Sequence, residues 1–169
     1  MNRSARALSL ACSLAISCTP LNSELDGLLT PDAQSFPVVA DALQPSCGTL
    51  DCHGQIGRNL RLFGGRGLRL DPQHTSAEGA TTEAEYAASY RSLTALEPEA
   101  LDSLLRAGGE VEKLSLLRKA RGREQHRGGV QLLPGDPLDR CLLSWLAGAV
   151  HQASCLRVAQ KPRPVLHLP

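Results

Sequence analysis

Two thiols and an imidazole stand within seven residues at Cys47-Gly48-Thr49-Leu50-Asp51-Cys52-His53. A further imidazole, His126, lies far downstream in Gln125-His126-Arg127-Gly128-Gly129. Thiolate sulfur and neutral imidazole nitrogen are the donors that bind transition metals, and thiols also bridge one another. Three chemistries fit the upstream cluster. Cys47 and Cys52 could capture a prosthetic group, with His53 as a metal ligand. They could instead form a local disulfide, which needs Cα atoms within about 7 Å and leaves His53 as a surface or capping residue. Zinc is the third option, but the supply of other ligands is thin, because Cys141 and Cys155 are better explained as a pair. Thiols three apart on a helix sit about 60° apart, whereas thiols five apart sit about 140° apart. A regular helix would therefore aim Cys47 and Cys52 at different places, and Gly48 permits the bulged turn that brings them together.

Cys141 and Cys155 are fourteen positions apart, so the chain can turn at 148–154 and fold back to pair them. A disulfide closing a loop of about 15 residues contributes about 3 kcal/mol in the chain-entropy model. No nucleophile–base arrangement stands out. The sequence has no Gly-x-Ser-x-Gly, no His-Glu-x-x-His and no phosphate-binding loop, so no enzymatic activity is expected. Glu97, Glu99, Asp102, Glu110 and Glu112 read as helix-surface acids, and His74, His151 and His167 as solvated.

The elements that must position these groups read as helices. Leu and Ala dominate the apolar residues, aromatics are confined to Phe36, Phe63, Tyr86, Tyr90 and Trp145, and few Val/Ile/Thr alternations argue for strands. A first helix is expected over 37–45, with Pro37 as its first residue, Val38, Val39, Ala42 and Leu43 as its apolar face and Pro45 as its end. It delivers the chain into Cys47. Leu60-Arg61-Leu62 and Leu68-Arg69-Leu70 suggest a short hairpin around Gly64-Gly65. Thr82 with Glu85 is a capping box for a helix carrying Tyr86, Tyr90 and Leu93. Glu97-Pro98-Glu99 opens another, with Leu101, Leu104 and Leu105 on one face and Gly108-Gly109 at its end. Leu114, Leu116 and Leu117 precede a basic loop over 118–127. The last helix runs over 137–149 from an Asp136-Pro137 start, with Leu138, Cys141, Leu142, Trp145, Leu146 and Ala149 on its apolar face.

The 169 residues imply one small domain. Residues 1–18 combine Arg3 and Arg6 with the short apolar run 7–16 and end Ala15-Ile16-Ser17-Cys18, which resembles a bacterial lipoprotein signal with Cys18 as the lipidated residue. The run is shorter than the about 20 residues that span a bilayer. Residues 19–36 read as a polar tether, 37–160 as the domain and the Pro-rich 161–169 as a disordered tail. The expected location is outside the cytoplasm, at the outer membrane or in the periplasm, with membrane contact through the lipid. Net charge is +1, or −1 without Arg3 and Arg6, which gives no electrostatic case for nucleic acid.

The order of motifs along 37–150 resembles the c-type cytochrome-like domains. Haem attachment reads Cys-x-x-Cys-His in that family, and here Cys47, Cys52 and His53 form a variant with two extra residues between the thiols. Cys52-His53-Gly54 followed by Leu68-Arg69-Leu70-Asp71 matches a branch of the family. So do the basic loop, His126-Arg127-Gly128-Gly129, and a terminal helix ending Trp145-Leu146-Ala147-Gly148-Ala149, one residue shorter than the usual ending. The resemblance implies a small all-α domain whose first and last helices cross and pack, with Val39, Ala42 and Leu43 against Leu142, Trp145 and Leu146. It implies haem c held by Cys47 and Cys52, with His53 as the proximal iron ligand. The only Met is Met1, lost with the leader, so His126 becomes the distal ligand. The arginine-rich run 118–127 would face haem propionates or an acidic patch of a partner. The implied function is one-electron transfer in the cell envelope with an unidentified redox partner. The alternative is a disulfide-stapled lipoprotein without haem, with Cys47–Cys52 as a second bridge, acting as a structural or interaction module.

Overall fold

The computed structural model describes residues 27–76 and 79–160. The expected leader, the Cys18 lipidation site, most of the tether, and the tail with His167 lie outside the described residues. Six α-helices and no strand are formed among the described residues: α1 Phe36–Leu43, α2 Glu83–Thr94, α3 Pro98–Ala107, α4 Ser115–Ala120, α5 Pro137–Leu146 and α6 Gln152–Ala159. The domain is all-α.

Each helix starts for a local reason. In α2, Thr82 accepts from the Glu85 amide while Glu85 accepts from the Thr82 amide, which is the capping box read in the sequence. Asp136 accepts from the Asp139 amide at the head of α5, where Pro137 occupies a position that needs no donor. Glu97, expected as a surface acid, receives both the backbone N–H and the hydroxyl of Ser115, each at 2.7 Å, and so ties the start of α3 to α4.

The core gathers the apolar faces of α1 and α5 as expected, with Val39, Ala42, Leu43, Leu142, Trp145 and Leu146 all buried. The largest departure is α6. The sequence reading ended the last helix at residue 149 and expected no helix beyond it, yet α6 packs against both α1 and α5 and buries Cys155 and Val158. Its head is capped by His151, whose Nδ1 accepts from the Ser154 amide. The Cys141–Cys155 disulfide, expected from the sequence, joins α5 to α6 with Cα atoms 4.9 Å apart.

The polar stretch read as a tether to residue 36 does not stay off the body. Trp145 donates its indole N–H to the Asp32 carbonyl at 2.9 Å, and the Tyr90 hydroxyl meets Thr30 and Pro31 at 2.7 Å. The Leu29 amide reaches Asp102 and Arg106 reaches the Gly27 carbonyl. Residues 27–35 are a strap seated on α2, α3 and α5.

The expected hairpin around Gly64-Gly65 is replaced by a tight turn with a single bridge between Phe63 and Leu68. The reason lies in α2. Ser89 and Ser92, three apart on one helix face, accept from the Phe63 amide at 2.8 Å and the Arg61 amide at 2.7 Å. These hydroxyls satisfy the donors that a second strand would have taken. Arg69 turns inward instead and forms a two-pronged pair with Glu85, at 2.8 and 3.1 Å, with both side chains almost fully buried. The Leu70 and Thr82 amides complete the carboxylate's bonding.

Candidate functional site

The segment from Cys47 to Gly54 is one closed turn. Cys47 leaves α1 with its amide still bonded to the Leu43 carbonyl, and the His53 amide returns to the Cys47 carbonyl at 2.9 Å. Cys52 and Gly54 both donate to the Thr49 carbonyl. A Cβ at Gly54 or at Gly67 would run into the Gly48 carbonyl oxygen, and one at Gly67 would also stand 2.7 Å from the Gly54 Cα. Three glycines thus bring backbone against backbone, and this contact fixes the turn. Arg58 clamps it from outside by donating to the Cys52 and Asp51 carbonyls at 3.1 and 3.3 Å.

His53 is half-buried and its ring is held. Its Nδ1 lies 3.1 Å from the Leu60 carbonyl, and its own carbonyl accepts from the Leu62 amide at 2.8 Å. Since Ser89 and Ser92 hold residues 61–63 on α2, the imidazole is registered to that helix. Burial lowers the His53 pKa, and the His126 and Arg58 charges add to this against the Leu60 bond, so the ring is neutral at pH 7.

His126 reaches the same place from the other side of the sequence. Its Nδ1 meets the Gly129 carbonyl at 2.9 Å, and the Gly129 amide donates to the His126 carbonyl at 2.9 Å. Gly129 has φ +67°, a conformation that L side chains rarely adopt, and this turn brings its carbonyl back to the ring. The loop is anchored on α4. The Gln131 and Leu132 amides donate to the Ala120 carbonyl, and Glu124 pairs with Arg118 and Lys119.

The two imidazoles are brought together. Their centres are 6.1 Å apart and their planes differ by 8°. In each, Nδ1 faces a backbone carbonyl, which assigns its proton to Nδ1 and leaves Nε2 as the lone-pair donor. Both rings and Cys47 line a cavity of about 550 Å³, walled by Leu43, Leu60, Leu62, Leu116, Leu132 and Leu142. Arg58, Lys119 and Arg127 also line it. That size lies within the range of small-molecule and cofactor sites. No family model, curated protein or solved structure matches the chain.

Cys47 and Cys52 are free thiols, so the alternative Cys47–Cys52 bridge is not formed. Burial, with the neighbouring Cys52 adding to it, pushes the Cys47 thiol up to about 12, so the sulfur is protonated at neutral pH. Cys47 lines the cavity and Cys52 is not among its lining residues. His74 and His151 lie away from it: both are exposed, and His151 serves as a helix cap. Of the basic run 118–127, Lys119 and Arg127 line the cavity, whereas Arg118 and Arg121 pair with Glu124 and Asp139. The sequence reading passed over Arg58 and took Leu60 and Leu62 for a hairpin arm, not for walls of a cavity. Their only signal was proximity to His53.

No group of three or more His, Cys, Asp or Glu among the described residues is placed to hold a metal ion. Two imidazoles leave a bare zinc ion short of its usual four ligands. A metal already ringed by a macrocycle needs only an axial pair from the protein. Two imidazoles bonded to opposite faces of one metal, at about 2 Å per bond, have ring centres about 6 Å apart. The 6.1 Å between the His53 and His126 ring centres matches that spacing.

Proposed function

We propose that the protein is an exported c-type cytochrome-like electron carrier, with haem in the cavity between the Cys47–His53 turn and the His126 loop. The observation that carries this reading is the near-parallel His53–His126 pair at 6.1 Å, each ring with Nδ1 on a backbone carbonyl. His53 and His126 would hold the iron, and Cys47 and Cys52 would be the attachment points. Bound there, haem supplies a one-electron Fe(III)/Fe(II) couple. The chain's own work is to hold two imidazoles in register, to exclude water with leucine walls and to offer Arg58, Lys119 and Arg127 to carboxylates. Two histidine ligands would give a lower potential than a His/Met pair. Cys18 is the proposed lipid anchor, and an envelope redox protein the proposed partner. Among the described residues no helix is long and apolar enough to cross a membrane.

The test is a visible spectrum of the full-length protein, exported from a host that attaches haem, before and after dithionite. Soret and α bands that survive acid–acetone extraction are expected. His126→Ala should then lose the six-coordinate spectrum while keeping the covalent haem. A colourless protein would end the electron-transfer reading and leave the disulfide-stapled module.

A further inference from the structure

Beside the histidine cavity, and sharing Asn59 and Leu96 with it, lies a second, more open groove of about 570 Å³. Arg61 and Arg91 line it, with Phe63 and Ala88 among the apolar residues between them. No carboxylate lines this groove. Four other arginines do have an acid beside them: Arg69 with Glu85, Arg106 with Asp102, Arg118 with Glu124 and Arg121 with Asp139. Arg61 and Arg91 are exposed, and among the described residues neither guanidinium has a carboxylate or hydrogen-bond partner. Both guanidiniums therefore keep their hydrogen-bonding capacity for a group that comes from outside, with Phe63 and Ala88 as apolar surface between them. A carboxylate arriving from outside gains charge-assisted, two-pronged hydrogen bonds from either one.

We propose that this groove is the docking site for an acidic segment of a partner protein, two carboxylates seated on Arg61 and Arg91 and an apolar side chain on Phe63 and Ala88. The charge pattern selects the partner's sign, and the shared Asn59–Leu96 wall sets the partner against the cavity edge. Docking itself is independent of haem. Its use as an electron-transfer contact rests on the function proposed above. Opposite charges at such a surface raise association rates and make them salt-dependent.

The experiment uses the full chain, loaded and unloaded with haem, and a labelled hexapeptide, Asp-Glu-Leu-Asp-Glu-Leu, read by fluorescence anisotropy. The amide peptide Asn-Gln-Leu-Asn-Gln-Leu is the control. Arg61→Glu and Arg91→Glu should each weaken binding of the acidic peptide about tenfold, or about 1.4 kcal/mol. Arg140→Glu and Arg157→Glu, on α5 and α6, should leave it unchanged. Arg91→Gln should fall between. Equal losses at all four arginines would mean diffuse attraction and overturn the proposal, as would equal binding of the amide peptide. No binding at low salt would overturn it too. So would charge-reversal losses seen with phosphatidylglycerol vesicles and not with the peptide. Because the readout is peptide binding, a colourless protein that still binds at Arg61 and Arg91 would sink the haem reading and leave the docking site standing.

Discussion

At the scale of single residues, the imidazoles of the site are held by backbone carbonyls, His53 by Leu60 and His126 by Gly129. Cys47, His53 and His126 announce themselves by type, and all three line one cavity. What holds them does not: a carbonyl of Leu60, a carbonyl of Gly129 and the close approach of Gly48, Gly54 and Gly67. Glycines in a turn look alike in a sequence, whether they are crowded or merely permissive. The difference is measurable. Gly54→Ala drives a methyl into the Gly48 carbonyl and should cost more than about 3 kcal/mol in urea unfolding. Gly109→Ala meets only Leu104 at an ordinary 3.5 Å and should change stability by less than about 0.5 kcal/mol. The two thiols are also unequal. Cys47 faces the cavity wall and Cys52 does not, so Cys47→Ala should reduce the haem retained in denatured protein, read by mass, more than Cys52→Ala does.

At the scale of elements, helix starts were readable because caps are local. The Thr82–Glu85 box and the Asp136-Pro137 start both stand as read. The hairpin was misread because its fate depended on Ser89 and Ser92, about 26 to 31 residues away. Glu85 was legible as a cap and illegible as the partner of Arg69. Burial works to raise its carboxyl, but the Thr82 amide, the Arg69 guanidinium and the Leu70 amide outweigh it and hold the pKa below 4.5. The depressed value means that the ionised carboxyl stabilises the fold above pH 4.5. That contribution is lost as the pH falls from there towards the folded pKa. Acid titration of stability should therefore steepen below pH 4.5 in the wild type and lose that component in Glu85→Gln. At pH 7 the same substitution leaves Arg69 buried without its counter-charge and should cost about 3–5 kcal/mol.

At the scale of the molecule, the helical class followed from composition, and the packing of α1 on α5 was expected only through the resemblance to c-type cytochrome-like domains. The third partner, α6, was missed because its eight residues carry a mixed pattern in which only Ser154, Cys155 and Val158 are buried. The signal present was Cys155, read as a staple and not as part of a helix. Replacing Cys141 and Cys155 by Ala should lower stability by about 3 kcal/mol in denaturant melts, for a loop of this length. The disulfide has a second effect. The exposed turn at Ala147, Gly148 and Ala149 lies between the two half-cystines. A protease that cuts there opens the chain without parting it: the product gains the mass of one water, keeps α6 on α1, and falls into two pieces only when a reductant is added. The closing helix is thus protected against backbone scission at its own connecting turn, and its retention is controlled by thiol chemistry, not by peptide-bond continuity.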